Sequence, residues 1–187
     1  MIVLILNTQY FLLMNVLSHF KNIKLFVLDV DGVLTDGSLL LLDDGQMARR
    51  MNIKDGYALQ LAIKKDYRIL IISGGHSEAV KMRLKKLGLI DIFLRALDKK
   101  ETLLKYVAAH NLTWQQVLYM GDDIPDLSPM QMAGLACCPA DAVAEIKSIS
   151  HYISPVNGGY GCVRDVIEKV LKLNNHWNDE EGSIVSR

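Results

Sequence analysis

Four short stretches constrain this fold more than anything else in the chain: "KLFVLD" (24–29), "RILIIS" (68–73), "VLYMGD" (117–122) and "GLACC" (134–138). Each is apolar at successive positions, without the alternation of a strand that wets one face. Such runs suit strands buried on both sides, as in a parallel sheet covered by helices. "IDIFLRA" (90–96) is a weaker fifth candidate. Between them lie "GYALQLAIKK" (56–65), "SEAVKMRLKKLG" (77–88), "KETLLKYVAAHN" (100–111) and "CVRDVIEKVLKL" (162–173), with apolar residues three and four apart. The second opens on Ser77 and closes on Gly88, the usual cap residues. Strand–helix alternation implies right-handed βαβ units. The expected fold class is therefore α/β, a Rossmann-like parallel sheet with helices on both faces.

One segment interrupts the alternation. In "VLTDGSLLLLDDGQMARR" (33–50) an apolar run meets an Asp-Gly turn, which predicts a β-hairpin flap. Four consecutive leucines are too apolar for a freely solvated arm. The hairpin is expected to pack against another subunit, with folding back onto its own domain the alternative.

The chain has 187 residues, the length of one domain, with 50% hydrophobic residues and 21 basic against 21 acidic side chains. With no basic excess, nothing points to nucleic acid. Cys137, Cys138 and Cys162 are odd in number, and two are adjacent. They read as small buried residues of a reduced cytoplasmic protein. The stretch 1–20 is apolar but interrupted by Asn7, Thr8, Gln9, Asn15, Ser18 and His19. It reads as an extension, with a start at Met14, in preference to a membrane anchor. A single domain over 21–173 and a loose polar tail over 174–187 follow.

Ligands of an open parallel sheet bind beyond the carboxyl ends of its strands. The strands deliver Asp29 and Asp31, then Ser73, Gly74 and Gly75, then Asp122 and Asp123, while Lys100 opens the helix before the last of these. Clustered carboxylates repel unless a cation neutralises them, and hard oxygen ligands suit Mg²⁺. Ser73 with its glycines offers an anion nest, and Lys100 a positive charge. Carboxylates, metal, nest and lysine together describe phosphoryl transfer through an aspartyl-phosphate.

"DVDGVLTDG", "ISGG", Lys100 and "GDDIPD" resemble the four motifs of the haloacid dehalogenase-like phosphohydrolases, from about Lys24 to Leu173. More narrowly, "NIKDGYALQLA", "KKETLLKYV", "GDDIPDL" and "GGYGCVRDVIEKVL" resemble 3-deoxy-D-manno-octulosonate (Kdo) 8-phosphate phosphatases. The resemblance implies a cytoplasmic homotetramer in lipopolysaccharide precursor synthesis, with no large cap domain and a neighbour's hairpin over each site. Asp29 would be nucleophile and Mg²⁺ ligand. Asp31 would be general acid, then base, and a metal ligand through its carbonyl. Ser73 and Lys100 would hold the phosphoryl group, Asp122 would complete the metal shell, and Asp123 and Asp126 would orient metal water and Lys100. Asn52, Lys54, Asp55, Gly74, Arg83 and Arg164 would line the substrate site. Gly75 and Lys54 stand where that family commonly has arginine, which grips a carboxylate bidentately as lysine does not. The load would pass to Arg83, to His76, or to Arg49 or Arg50 of a neighbouring subunit. A nine-carbon ulosonate 9-phosphate therefore stays open as the substrate. A non-catalytic oligomerisation module of the same fold is disfavoured by the presence of Asp29, Asp31 and Lys100.

Overall fold

The computed structural model describes residues 16–178. Six parallel strands form one sheet in the order β5-β4-β1-β6-β7-β8. They are β1 (Leu25–Leu28), β4 (Arg68–Ile72), β5 (Asp91–Phe93), β6 (Val117–Met120), β7 (Leu135–Cys138) and β8 (Tyr152–Ile153). Strands β2 (Leu40–Leu41) and β3 (Met47–Ala48) make the expected hairpin, paired Leu40 to Ala48 and Leu41 to Met47. Gly45, with φ of 81°, closes its turn by donating to Leu42 O at 2.9 Å. The short edge strand β8 had no readable signal in the sequence, its two residues being half-exposed or exposed.

The sheet core follows from the side-chain period of two. Phe26 and Leu28 of β1 face one helical layer, and Leu25 and Val27 face the other. The first layer holds α2 (Ile53–Lys64), α3 (Glu78–Lys86) and α7 (Cys162–Leu173), and the second holds α4 (Lys99–Ala109), α5 (Leu127–Met130) and α6 (Ala144–Ile149). On α7 the buried residues are Cys162, Val163, Val166, Ile167, Val170 and Leu171, a stripe at three- and four-residue spacing. Burying each large aliphatic side chain contributes about 1.5–3 kcal/mol. All three cysteines are free and buried, as small core residues.

Both ends of the domain lie further out than expected. Helix α1, described over 16–21, buries Phe20, whose ring meets Tyr152 edge-on at 5.3 Å, and His19 Nδ1 lies 2.8 Å from Gly134 O. The core thus takes in residues before 21. Beyond α7, His176 pairs with the Tyr67 hydroxyl at 3.0 Å and Trp177 packs on Tyr57. Residues 174–178 are therefore packed. The remainder of the expected tail and residues 1–15, including the candidate start at Met14, lie outside the described residues. Among the described residues no helix is long and apolar enough to cross a membrane.

The order of strands places β1 at the switch point: the chain runs outward from it through β4 and β5, then returns to its other side for β6, β7 and β8. A crevice forms at that reversal, beyond the carboxyl end of β1.

Candidate active site

Asp29 follows β1 directly, and its N–H donates to Met120 O of β6 at 3.1 Å. That bond fixes its backbone in the middle of the sheet edge. Asp29 is 7% exposed; its Oδ1 accepts from Val30 N at 2.7 Å and its Oδ2 from Lys99 Nζ at 2.8 Å. The chain then makes a wide turn over Val30–Leu34, closed by Thr35 N to Val30 O at 2.9 Å. Gly32 sits in it at φ of 83°, and a Cβ there would lie 1.9 Å from Asp122 Oδ2. Only glycine lets the two acidic segments approach this closely.

The second edge comes from β4. Ser73 is 3% exposed, and its Oγ accepts from Gly75 N at 3.1 Å, leaving the hydroxyl proton available to a ligand. From β6 come Asp122 and Asp123, followed by the turn Ile124–Asp126. Asp123 is exposed and caps that turn by accepting from Ile124 N at 2.8 Å. Asp126 is fully buried: Oδ1 accepts from Lys99 Nζ and from the Tyr119 hydroxyl, both at 2.8 Å, and Oδ2 from Asp122 N at 3.3 Å. It holds the lysine between itself and Asp29.

The lysine in the site is therefore Lys99, not the expected Lys100. Helix α4 begins one residue earlier than its apolar pattern suggested, because Asp98 caps it by accepting from Glu101 N at 2.9 Å. One residue turns a helical side chain by about 100°. Lys99, 8% exposed, faces the site and Lys100 faces solvent. The signal was present in the sequence as Asp-x-x-Glu over 98–101, a capping pattern.

Asp29, Ser73, Gly74, Gly75, Lys99 and Asp122 line one cleft of about 310 Å³ with Asp31, Gly32, Gly37, Asp123 and Pro125. Asp29, Asp122 and Asp126 each offer an oxygen within 4.8 Å of the others. Asp122 Oδ1 is buried without a partner. An orphaned carboxylate oxygen beside two more carboxylates is suited to a cation, and all-oxygen ligation fits Mg²⁺. Burial, reinforced by the charge of Asp126, pushes Asp29 and Asp122 up to about 7. Burial alone would pull the Lys99 ammonium down, but the carboxylates of Asp126 and Asp29 outweigh it and keep it charged.

Asp31 points into the cleft and is gripped by Arg49 of its own chain, Nε to Oδ1 at 2.6 Å and Nη2 to Oδ2 at 3.3 Å. The sequence suggested Arg49 only as a neighbour's contact to the substrate carboxylate; within its own chain it is committed to Asp31. Of the other expected substrate residues, Gly74 lines the cleft, while Asn52, Lys54, Asp55, Arg83 and Arg164 do not. Asn52 caps α2, accepting from Lys54 N at 2.9 Å, and Lys54 is exposed. Asp55 is 2% exposed and accepts from Arg164 N at 2.7 Å, capping α7 in place of Gly161, which has no side chain to do so. Burial pushes Asp55 up to about 6. Arg83 lies along α2, where a Cβ on Gly56 would come within 2.9 Å of its Nη2. Arg164 pairs with Glu168 at 3.1 Å, its guanidinium lying over Tyr57 at 5.7 Å and Trp177 at 5.3 Å. Asp55 and Arg164 thus join the first turn of α2 to α7.

Comparison with known proteins agrees with this geometry. A family profile for haloacid dehalogenase-like hydrolases matches residues 79–167. The 3-deoxy-D-manno-octulosonate 8-phosphate phosphatase of Yersinia pestis is 31% identical over 168 residues, 90% of each chain. That of Escherichia coli K12 is 29% identical over 171 residues, 91% of each. A Moraxella catarrhalis phosphatase of this name, solved with a magnesium ion, phosphate and Kdo, superposes with a TM-score of 0.83 at 32% identity, covering 87% of this chain and 94% of its own.

Proposed function

The chain belongs to the 3-deoxy-D-manno-octulosonate 8-phosphate phosphatases among the haloacid dehalogenase-like hydrolases, and from that premise we propose that it releases phosphate from Kdo 8-phosphate through an aspartyl-phosphate. It is a phosphoric monoester hydrolase, and its cofactor is Mg²⁺. The observation that carries the reading is the buried set of Asp29, Lys99 and the unpartnered Asp122 oxygen at the mouth of one cleft.

Asp29, Asp122 and the main-chain carbonyl of Asp31 would hold the ion. When bound, it offsets the repulsion between an attacking carboxylate and anionic phosphoryl oxygens. Asp29 attacks phosphorus, and the ammonium of Lys99 balances charge on the transferring group while keeping the nucleophile in place. The Ser73 hydroxyl donates to a phosphoryl oxygen. Asp31 gives its proton to the departing sugar oxygen as the phosphorus–oxygen bond breaks, then takes one from the water that cleaves the acyl phosphate. The product would serve lipopolysaccharide precursor synthesis.

We also infer a homotetramer in which hairpin tips meet neighbouring subunits. Its support is the exposure of Leu40 at 64% and Leu41 at 70%, apolar surface that a lone subunit leaves in water. Light scattering of Leu41→Glu against the parent chain tests it; unchanged mass would remove the hairpin from the interface.

The function is tested by phosphate release from eight-carbon and nine-carbon ulosonate phosphates, with and without Mg²⁺. Preference for the eight-carbon substrate with Mg²⁺ is expected. Turnover of the nine-carbon substrate alone would overturn the assignment.

A further inference from the structure

Resting on that phosphatase reading, we propose that Arg49 is a positioning residue for Asp31, setting the orientation of the carboxyl that transfers the proton. The guanidinium meets both oxygens of Asp31, and a planar fork on a carboxylate fixes its plane as well as its place. The Arg49 side chain is only 8% exposed, so this is not a solvated surface pair. The Asp31 side chain is 37% exposed, and Thr35 Oγ1 donates to its Oδ1 at the longer distance of 3.5 Å. Without Arg49 the carboxyl would be free to rotate.

The hairpin is built to deliver this arginine. Thr35 bridges Met51 in antiparallel fashion, so the base of the hairpin is tied to the segment after the catalytic turn. Successive residues of an extended strand point to opposite faces. Arg49 turns inward, while Arg50 turns outward, pairs with Asp36 at 2.7 Å and bonds the Tyr160 hydroxyl. The outward pair holds the strand so that the inward one reaches Asp31. Gly75 supplies the room: a Cβ there would stand 2.9 Å from Asp31 Oδ2 and 3.7 Å from Arg49 Nη2. A longer side chain would compete for the space the guanidinium fills.

A poorly positioned acid slows only steps that need its proton. An alkyl phosphate requires protonation of its leaving oxygen, whereas p-nitrophenolate leaves unaided. Because kcat/KM reports events up to the first irreversible step, it isolates leaving-group departure from the later hydrolysis. For Arg49→Met, kcat/KM on Kdo 8-phosphate should fall about 10- to 100-fold, the effect of a misplaced catalytic group. The fall should sit in kcat, with KM changed less than about threefold, and kcat/KM on p-nitrophenyl phosphate should stay within about threefold of the parent. Arg49→Lys, which keeps charge without the fork, should lie between. Equal losses on both substrates, no loss on either, or a loss carried by KM would overturn the proposal, the last by assigning Arg49 to the substrate's own carboxylate. Failure of the functional reading shows separately, as a parent enzyme inactive on Kdo 8-phosphate; the variants are then compared on whichever alkyl phosphate the parent hydrolyses.

Discussion

Replacing Lys99 by methionine removes the one cation between two buried carboxylates, and the structure gives the size of the effect. Both Asp29 and Asp126 bond its Nζ at 2.8 Å, and all three side chains are almost wholly buried. Removing one partner of a buried ion pair costs about 3–5 kcal/mol, since the remaining charge is stranded. The cost is capped because a stranded carboxylate can take up a proton, the easier at low pH. At pH 8 without Mg²⁺ we expect about 3 kcal/mol, which for a chain of this size lowers Tm by about 6–12 °C. At pH 5.5 the loss should be smaller. Phosphate release should fall by about 10³-fold, as when a preorganised group facing transition-state charge is deleted. Lys100→Met, one residue on, should leave kcat within about twofold and stability within about 0.5 kcal/mol, as for surface positions generally. Thermal melts and steady-state phosphate release on the two variants decide the matter. A Lys99→Met enzyme that keeps its rate, beside a crippled Lys100→Met, would refute the assignment of the helix phase.

Gly32→Ala should raise the Mg²⁺ concentration for half-maximal activity at least about tenfold, because its Cβ would collide with Asp122 Oδ2 from a backbone of positive φ; an unchanged Mg²⁺ titration would count against Asp122 as ligand. Asp29 and Asp122 are raised from 3.8 to about 7, so the folded chain binds their protons more tightly than the unfolded one. Metal-free stability from these groups is full below pH 3.8 and is lost as pH rises through 7. The gain in Tm on adding Mg²⁺ should accordingly be larger at pH 8 than at pH 5.5, and equal gains would contradict the burial of these carboxylates. Asp55→Ala should destabilise by about 1–2 kcal/mol through loss of the α7 cap, with kcat within about twofold, whereas a large kcat loss in a stably folded variant would return Asp55 to the substrate site.

The central strands were legible because fully buried strands leave uninterrupted apolar runs, and the acids that follow them mark where burial stops. The end of "KLFVLD" thus identified Asp29, and "VLYMGD" identified Asp122, without reference to any contact. The hairpin was readable from its Asp-Gly turn, and Mg²⁺ from the mutual repulsion of the carboxylates. The sequence alone determined the sheet, the strand-end placement of the acids and the class of chemistry. Tertiary structure decided what depends on angle and on distant neighbours. A helix rotates about 100° per residue, so a shift of one in the start of α4 exchanged Lys100 for Lys99. Asp55 looked like a substrate contact until α7, over a hundred residues away, placed its N-terminus on it. Arg49 reached Asp31 of its own chain because the Thr35–Met51 bridge and Gly75 together set a path no local pattern encodes. Local pattern specifies which residues are buried or exposed; which polar groups meet is settled only when separate segments are packed together.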